Sequence, residues 1–105
     1  MLPPIPQQYV EYLNSNGAFE GFTHGDAEPG YVALWALDNL ADYNADVEIE
    51  VYAPGFIAFG GNGGGELLVF DASGAVFMLP MIGMEPQYAM PVADSFQGLA
   101  ARFQT

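Results

Sequence analysis

The residues of this chain whose types and spacing could do chemistry are mostly carboxylates. Asp38, Asp42, Asp46, Glu48 and Glu50 crowd one short stretch, and the first three recur at intervals of four. That interval stacks them on one face of a helix, where like charges oppose helix formation by about a few tenths of a kcal/mol per pair. Hard divalent cations do take several carboxylate oxygens. The stretch nevertheless lacks the close Asp-x-Asp-x-Asp-Gly loop that gathers them, so a solvated face or a contact surface for a basic protein is the better reading. His24 is the only histidine, close in sequence to Asp26 and Glu28, and there is no cysteine. One imidazole without a second nitrogen or any sulfur ligand makes a poor metal site, and the residue reads as part of a solvated turn. Ser15, Ser73 and Ser95 lie in turn or capping contexts, and none sits in a nucleophile elbow.

Gly60-Gly61-Asn62-Gly63-Gly64-Gly65-Glu66 invites comparison with nucleotide-binding loops and fails it. Counting from Gly61 and Gly63, the third glycine of a dinucleotide fingerprint is replaced by Glu66, and the phosphate-loop lysine is absent from a chain with no lysine at all. A carboxylate in that position repels phosphate. The cluster reads instead as a hairpin turn, its glycines supplying positive φ without a Cβ penalty.

The elements that must position these residues follow from apolar periodicity. Phe56 to Phe59 and Leu67 to Phe70 are nearly continuous apolar runs on either side of the glycine turn, as expected of central strands covered on both faces. Ala72-Ser73-Gly74 turns into a third strand from Val76 to Leu79. Upstream, Ala18 to Phe22 and Tyr31 to Ala36 read as strands, separated by the turn-rich 23–30 segment. Ile5, Tyr9, Tyr12 and Leu13 share one face of an opening helix, closed by Gly17 after Asn16. A middle helix is expected from about Asp38 to Asp46, with Asp38 as N-cap and Leu37, Leu40, Ala41 and Val47 inward. Met81 to Met90 reads as a loop of adaptable apolar residues. Val92, Phe96, Leu99 and Phe103 mark one face of a closing helix, with Asp94 and Ser95 placed to accept from its first amides. The sum is an α+β fold: an antiparallel sheet of four to five strands with an N-terminal, a middle and a C-terminal helix.

At 105 residues one domain, 1–105, is expected, large enough to fold without a staple. Thirteen acidic residues against a single arginine give a formal net charge of −12. Such a surface repels nucleic acid and anionic membranes and attracts a basic partner. Neither a secretory leader nor an apolar run of membrane-spanning length is visible, so a soluble cytoplasmic protein is expected.

Several of these pieces, in this order, resemble the SUKH superfamily, named in part for a yeast cell-wall regulator. They are Ile5-Pro6 with Tyr9, Tyr12-Leu13 and Asn16-Gly17; Ala53-Pro54-Gly55-Phe56-Ile57-Ala58-Phe59-Gly60 running into the glycine cluster and Phe70-Asp71; and Ala93-Asp94-Ser95-Phe96 with Leu99. The resemblance spans almost the whole chain. It implies terminal helices around an antiparallel sheet, no catalytic centre and no cofactor. Bacterial members are regarded largely as immunity proteins that neutralise toxin domains, many of them nucleases, and fungal members as interaction hubs in cell-wall signalling. No functional residue carries over by position. The expectation is therefore a non-enzymatic binding protein that meets a basic toxin domain through Asp38, Asp42, Asp46, Glu48 and Glu50. Its rivals are a regulatory or scaffold module and a metal-dependent hydrolase using the same acids with His24.

Overall fold

Contiguous apolar residues place two strands at the centre of the sheet. In the computed structural model, which describes residues 1–105, these are β3 (Ile57–Gly61) and β4 (Glu66–Phe70), preceded by β1 (Glu20–Phe22) and β2 (Tyr31–Leu34) and followed by β5 (Val76–Pro80) and β6 (Met90–Ala93). The six form one sheet in sequence order, every neighbouring pair antiparallel. The helices are α1 (Gln7–Asn16), α2 (Leu40–Asp46), α3 (Ile49–Tyr52) and α4 (Phe96–Ala100). The α+β class and the terminal helices are as expected. The strand number is six rather than four to five.

Burial on both faces explains why the central strands lack alternation. Along β4, Leu68 and Phe70 join a cluster with Tyr9 of α1 and Phe96 and Leu99 of α4. Leu67 and Val69 point to a second cluster with Ile49 and Ala53 at α3 and with Met84. The register of β3 on β4 shifts between Ala58 and Gly60. Gly60 is obligatory at that break, because a Cβ there would stand 2.5 Å from the Ala33 carbonyl oxygen.

Asn62 organises the β3–β4 turn through its side chain, an arrangement short polar side chains favour in turns. Its Oδ1 accepts from the amides of Gly64 at 2.8 Å and Glu66 at 3.1 Å, while its Nδ2 donates to Glu66 Oε1 at 2.6 Å. Gly63 and Gly65 have φ of 75° and 97°, which L side chains adopt at a cost of about 1 kcal/mol or more each. A Cβ on Gly63 would also meet the Tyr31 ring at 3.1 Å. Replacing both glycines with alanine should therefore lower stability by about 2 kcal/mol in a denaturant melt. An unchanged midpoint would show that the turn relaxes without strain.

Tyr9 ties α1 to the sheet. It is fully buried, packs edge-on against Phe59, Phe70 and Phe96, and its hydroxyl lies 2.5 Å from the Trp35 carbonyl oxygen and 3.1 Å from that of Phe59. Burial pushes its phenol far above the ordinary tyrosine range. The native state thus keeps a proton that the unfolded chain releases above about pH 10. The Tyr9 contribution is complete below that pH and is lost as pH rises from the unfolded towards the folded value. Tyr9→Phe should cost about 1–2 kcal/mol at neutral pH and flatten the alkaline fall in stability, read by urea denaturation across that range. Parallel alkaline slopes for the two proteins would contradict the assignment.

Four sequence expectations need correction. Met90–Ala93 is a strand, so Val92 lies in the sheet and not on the closing helix. That helix ends at Ala100, and Phe103 lies beyond it, bridged to Thr23 through the backbone, with its ring buried against Tyr12, Phe19 and Phe96. Asp38 caps nothing: it sits within a 3-10 turn, Leu37–Asn39, whose N-cap is Ala36 with no side-chain cap bond. The inward residues of α2 are Leu40 and Asn44, while Ala41 is exposed. The Ser95 cap does form, its Oγ accepting from the Gly98 amide at 3.3 Å. No helix is long and apolar enough to cross a membrane.

Candidate partner-binding face

Asn44 fixes the position of the acidic helix. Its Nδ2 donates to the carbonyls of Leu40 at 2.8 Å and Ala58 at 2.9 Å, and its Oδ1 accepts from the Ala58 amide at 2.8 Å. A buried amide whose bonds are satisfied in this way holds α2 against β3 at one register. The opposite side of α2 then faces solvent.

Asp38, Asp42, Asp46, Glu48 and Glu50 are all exposed, as a contact surface requires. They do not form one helical stripe. Asp42 and Asp46 lie one turn apart on α2, Asp38 precedes them in the 3-10 turn, and the helix ends before Glu48. Glu48 adopts the left-handed conformation, with φ 55° and ψ 44°, and this kink starts α3, which carries Glu50. The Glu50 carboxylate lies 2.7 Å from the Met1 amino group, an exposed pair of little energetic weight. The other four carboxylates have no cationic partner.

Apolar side chains border some of these acids. Trp35, Tyr43, Asp46 and Val47 line a shallow hollow of about 420 Å³, with the Trp35 and Tyr43 rings edge-to-face at 4.9 Å. Val47 also lines a second hollow, of about 390 Å³, shared with Tyr52, Met81, Gly83, Met84 and Glu85. Ile82, next to Met81, is 94% exposed, while Val51, 70% exposed, lines a separate hollow with Ala41, Glu48 and Glu50. Sequence reasoning treated the acidic stretch and the segment beginning at Met81 as separate candidates. The fold makes them neighbours, because α3 brings Tyr52 to Met81. The apolar part was hard to foresee, since Val51 and Tyr52 gave no sign of being on the surface. An apolar centre with a charged rim is what protein-recognition surfaces present.

His24 is exposed in the β1–β2 turn, where its backbone amide donates to the Arg102 carbonyl at 2.7 Å. Glu28, its neighbour in sequence, accepts from the Gly30 amide instead. No three of the His, Asp and Glu side chains converge in a way that could hold a metal ion. Asp71 is engaged within its own turn. Burial would raise its pKa, but hydrogen bonds from the Ser73 hydroxyl and the amides of Ala75, Ser73 and Gly74 outweigh that and hold the carboxyl below its ordinary value.

The class defined by these features is a small α+β domain: a six-stranded antiparallel meander flanked by short helices, with exposed acids spread over the Leu37–Asn39 turn, α2 and α3. The model of the SMI1/KNR4 family (SUKH-1) matches residues 4–102, and the chain belongs to that family. No curated protein matches the chain.

Proposed function

We propose that this protein binds another protein without catalysing a reaction, as an immunity protein that occludes a basic toxin domain. Membership of the SMI1/KNR4 family supports a role of this general kind. The observation that carries the reading further is the exposure of Asp38, Asp42, Asp46, Glu48 and Glu50, with Asp46 bordering the hollow of Trp35, Tyr43 and Val47. Exposed carboxylates, four of the five without a cationic partner, steer a basic partner and select it, while the exposed apolar residues beside them supply the contact that slows its departure. A nuclease domain is a fitting target, because a surface built to meet phosphate also meets carboxylate. On this reading the protein acts in the cytoplasm.

Growth of cells producing a toxin domain, where a gene adjacent to that of this chain encodes one, tests this. Co-production of the chain should restore growth, and a variant with the five acids changed to Asn or Gln should fail to do so while remaining folded. Equal rescue by both would overturn the acidic face as the contact. Absence of rescue by the wild type would favour the rival reading, a regulatory or scaffold module.

A further inference from the structure

Another hollow, of about 540 Å³, shares no residue with the face just described. Phe22 of β1, Tyr31 of β2, Met78 of β5 and Met90 of β6 contribute its apolar wall, and Glu28 and Glu66 contribute carboxylates. The glycine turn borders it at Gly64. We infer that this hollow is a separate recognition site that receives an arginine side chain from a loop of a partner protein.

Three features select that occupant. The first is the aromatic pair: Phe22 and Tyr31 stand edge-to-face with centroids 5.5 Å apart, and Phe22 is 65% exposed although it is a large apolar residue. A guanidinium stacks on such rings and loses less hydration in doing so than an ammonium. The second is charge. Glu28 and Glu66 have no cationic partner, and the only arginine of the chain is committed elsewhere: Arg102 donates to the backbone carbonyls of Ala27, Glu28 and Pro29. The third is preorganisation. Tyr31 donates its hydroxyl to the Glu20 carboxylate, and Glu66 is oriented by Asn62, so ring and carboxylate are held in place before anything binds. The glycine cluster gains a second purpose here, since a side chain at Gly63 would run into the Tyr31 ring.

The test is an NMR titration of the isotopically labelled protein at physiological ionic strength. The probe is N-acetyl-arginine-amide, and the corresponding citrulline compound serves as its uncharged isostere. Amide shifts should concentrate at Tyr31, Gly63, Gly64 and Glu66, and the citrulline compound should cause none. The double variant Glu28→Gln/Glu66→Gln keeps the acceptors for Gly30 and Asn62, so it should fold, and it should bind about fivefold more weakly. Asp42→Asn/Asp46→Asn should leave the binding unchanged, which separates failure here from failure of the proposed toxin-binding face. Shifts spread evenly over all exposed carboxylates, equal shifts with citrulline, an unaffected Glu28→Gln/Glu66→Gln variant, or no shifts at all would each overturn the inference.

Discussion

Phe96→Ala should lower the free energy of unfolding by about 3–5 kcal/mol, a large part of the ~5–15 kcal/mol a small domain possesses. Phe96 is 2% exposed and sits where both terminal helices meet the sheet. Its ring lies 5.0 Å from that of Tyr9, 5.3 Å from Tyr12, 6.1 Å from Phe59 and 6.3 Å from both Phe70 and Phe103. Truncation removes edge-to-face contacts with five rings at once and leaves a cavity that the sheet is too rigid to close. Phe96→Leu fills most of that space and should lose markedly less. The check is a urea melt of all three proteins. Equal midpoints for Phe96→Ala and wild type would place α4 outside the core.

Asn44→Ala should cost about 3 kcal/mol or more, because it strands both the amide and the carbonyl of Ala58 in the interior at about 1–3 kcal/mol each. Ala58 is fully buried, so water offers no replacement partner. Asn44→Asp should do no better at neutral pH. It still accepts from the Ala58 amide, but it brings an ionised carboxylate against two carbonyls to which the amide formerly donated. The loss should extend to recognition, since Asn44 fixes the helix that presents Asp42 and Asp46. A stability change of under about 1 kcal/mol for Asn44→Ala would show that α2 is held by Leu40 alone.

Asn44 also marks where the sequence stops being legible. Hydropathy identifies the inward face of a helix from its apolar residues, and here a polar residue occupies that face because its hydrogen bonds lead to the backbone of β3. The central hairpin was readable because continuous apolar runs on either side of a glycine cluster have few alternative structures. β6 was not, because Met-Pro-Val-Ala shows no alternation and proline demotes a run to an edge strand or loop, and an edge strand is what it is. Phe96, Leu99 and Phe103 are in the core as expected and the first two lie on α4 as expected, but Phe103 lies beyond it, because helical spacing does not reveal that the chain leaves α4 before that residue. Helix α3 follows a left-handed glutamate, a conformation for which no glycine or asparagine gives notice. For the candidate site, the five acids were visible as composition. The apolar hollow next to α2 is absent from the sequence pattern because it exists only where α3 meets the Met81 segment.

The acidic face as the surface that meets a basic partner is the central claim. Its most direct test is surface plasmon resonance of the wild type and the Asp38→Asn/Asp42→Asn/Asp46→Asn/Glu48→Gln/Glu50→Gln variant against the proposed basic toxin domain, at low and at physiological ionic strength. Neutralisation relieves repulsion between Asp42 and Asp46, so the variant should melt at or slightly above the wild-type temperature. Wild-type association should slow as the Debye length falls to about 8 Å. The variant should associate more slowly at low salt, depend less on salt, and dissociate faster at both concentrations. Equal rates with equal salt dependence for the two proteins would contradict the claim and leave Asp38, Asp42, Asp46, Glu48 and Glu50 as a solvated surface.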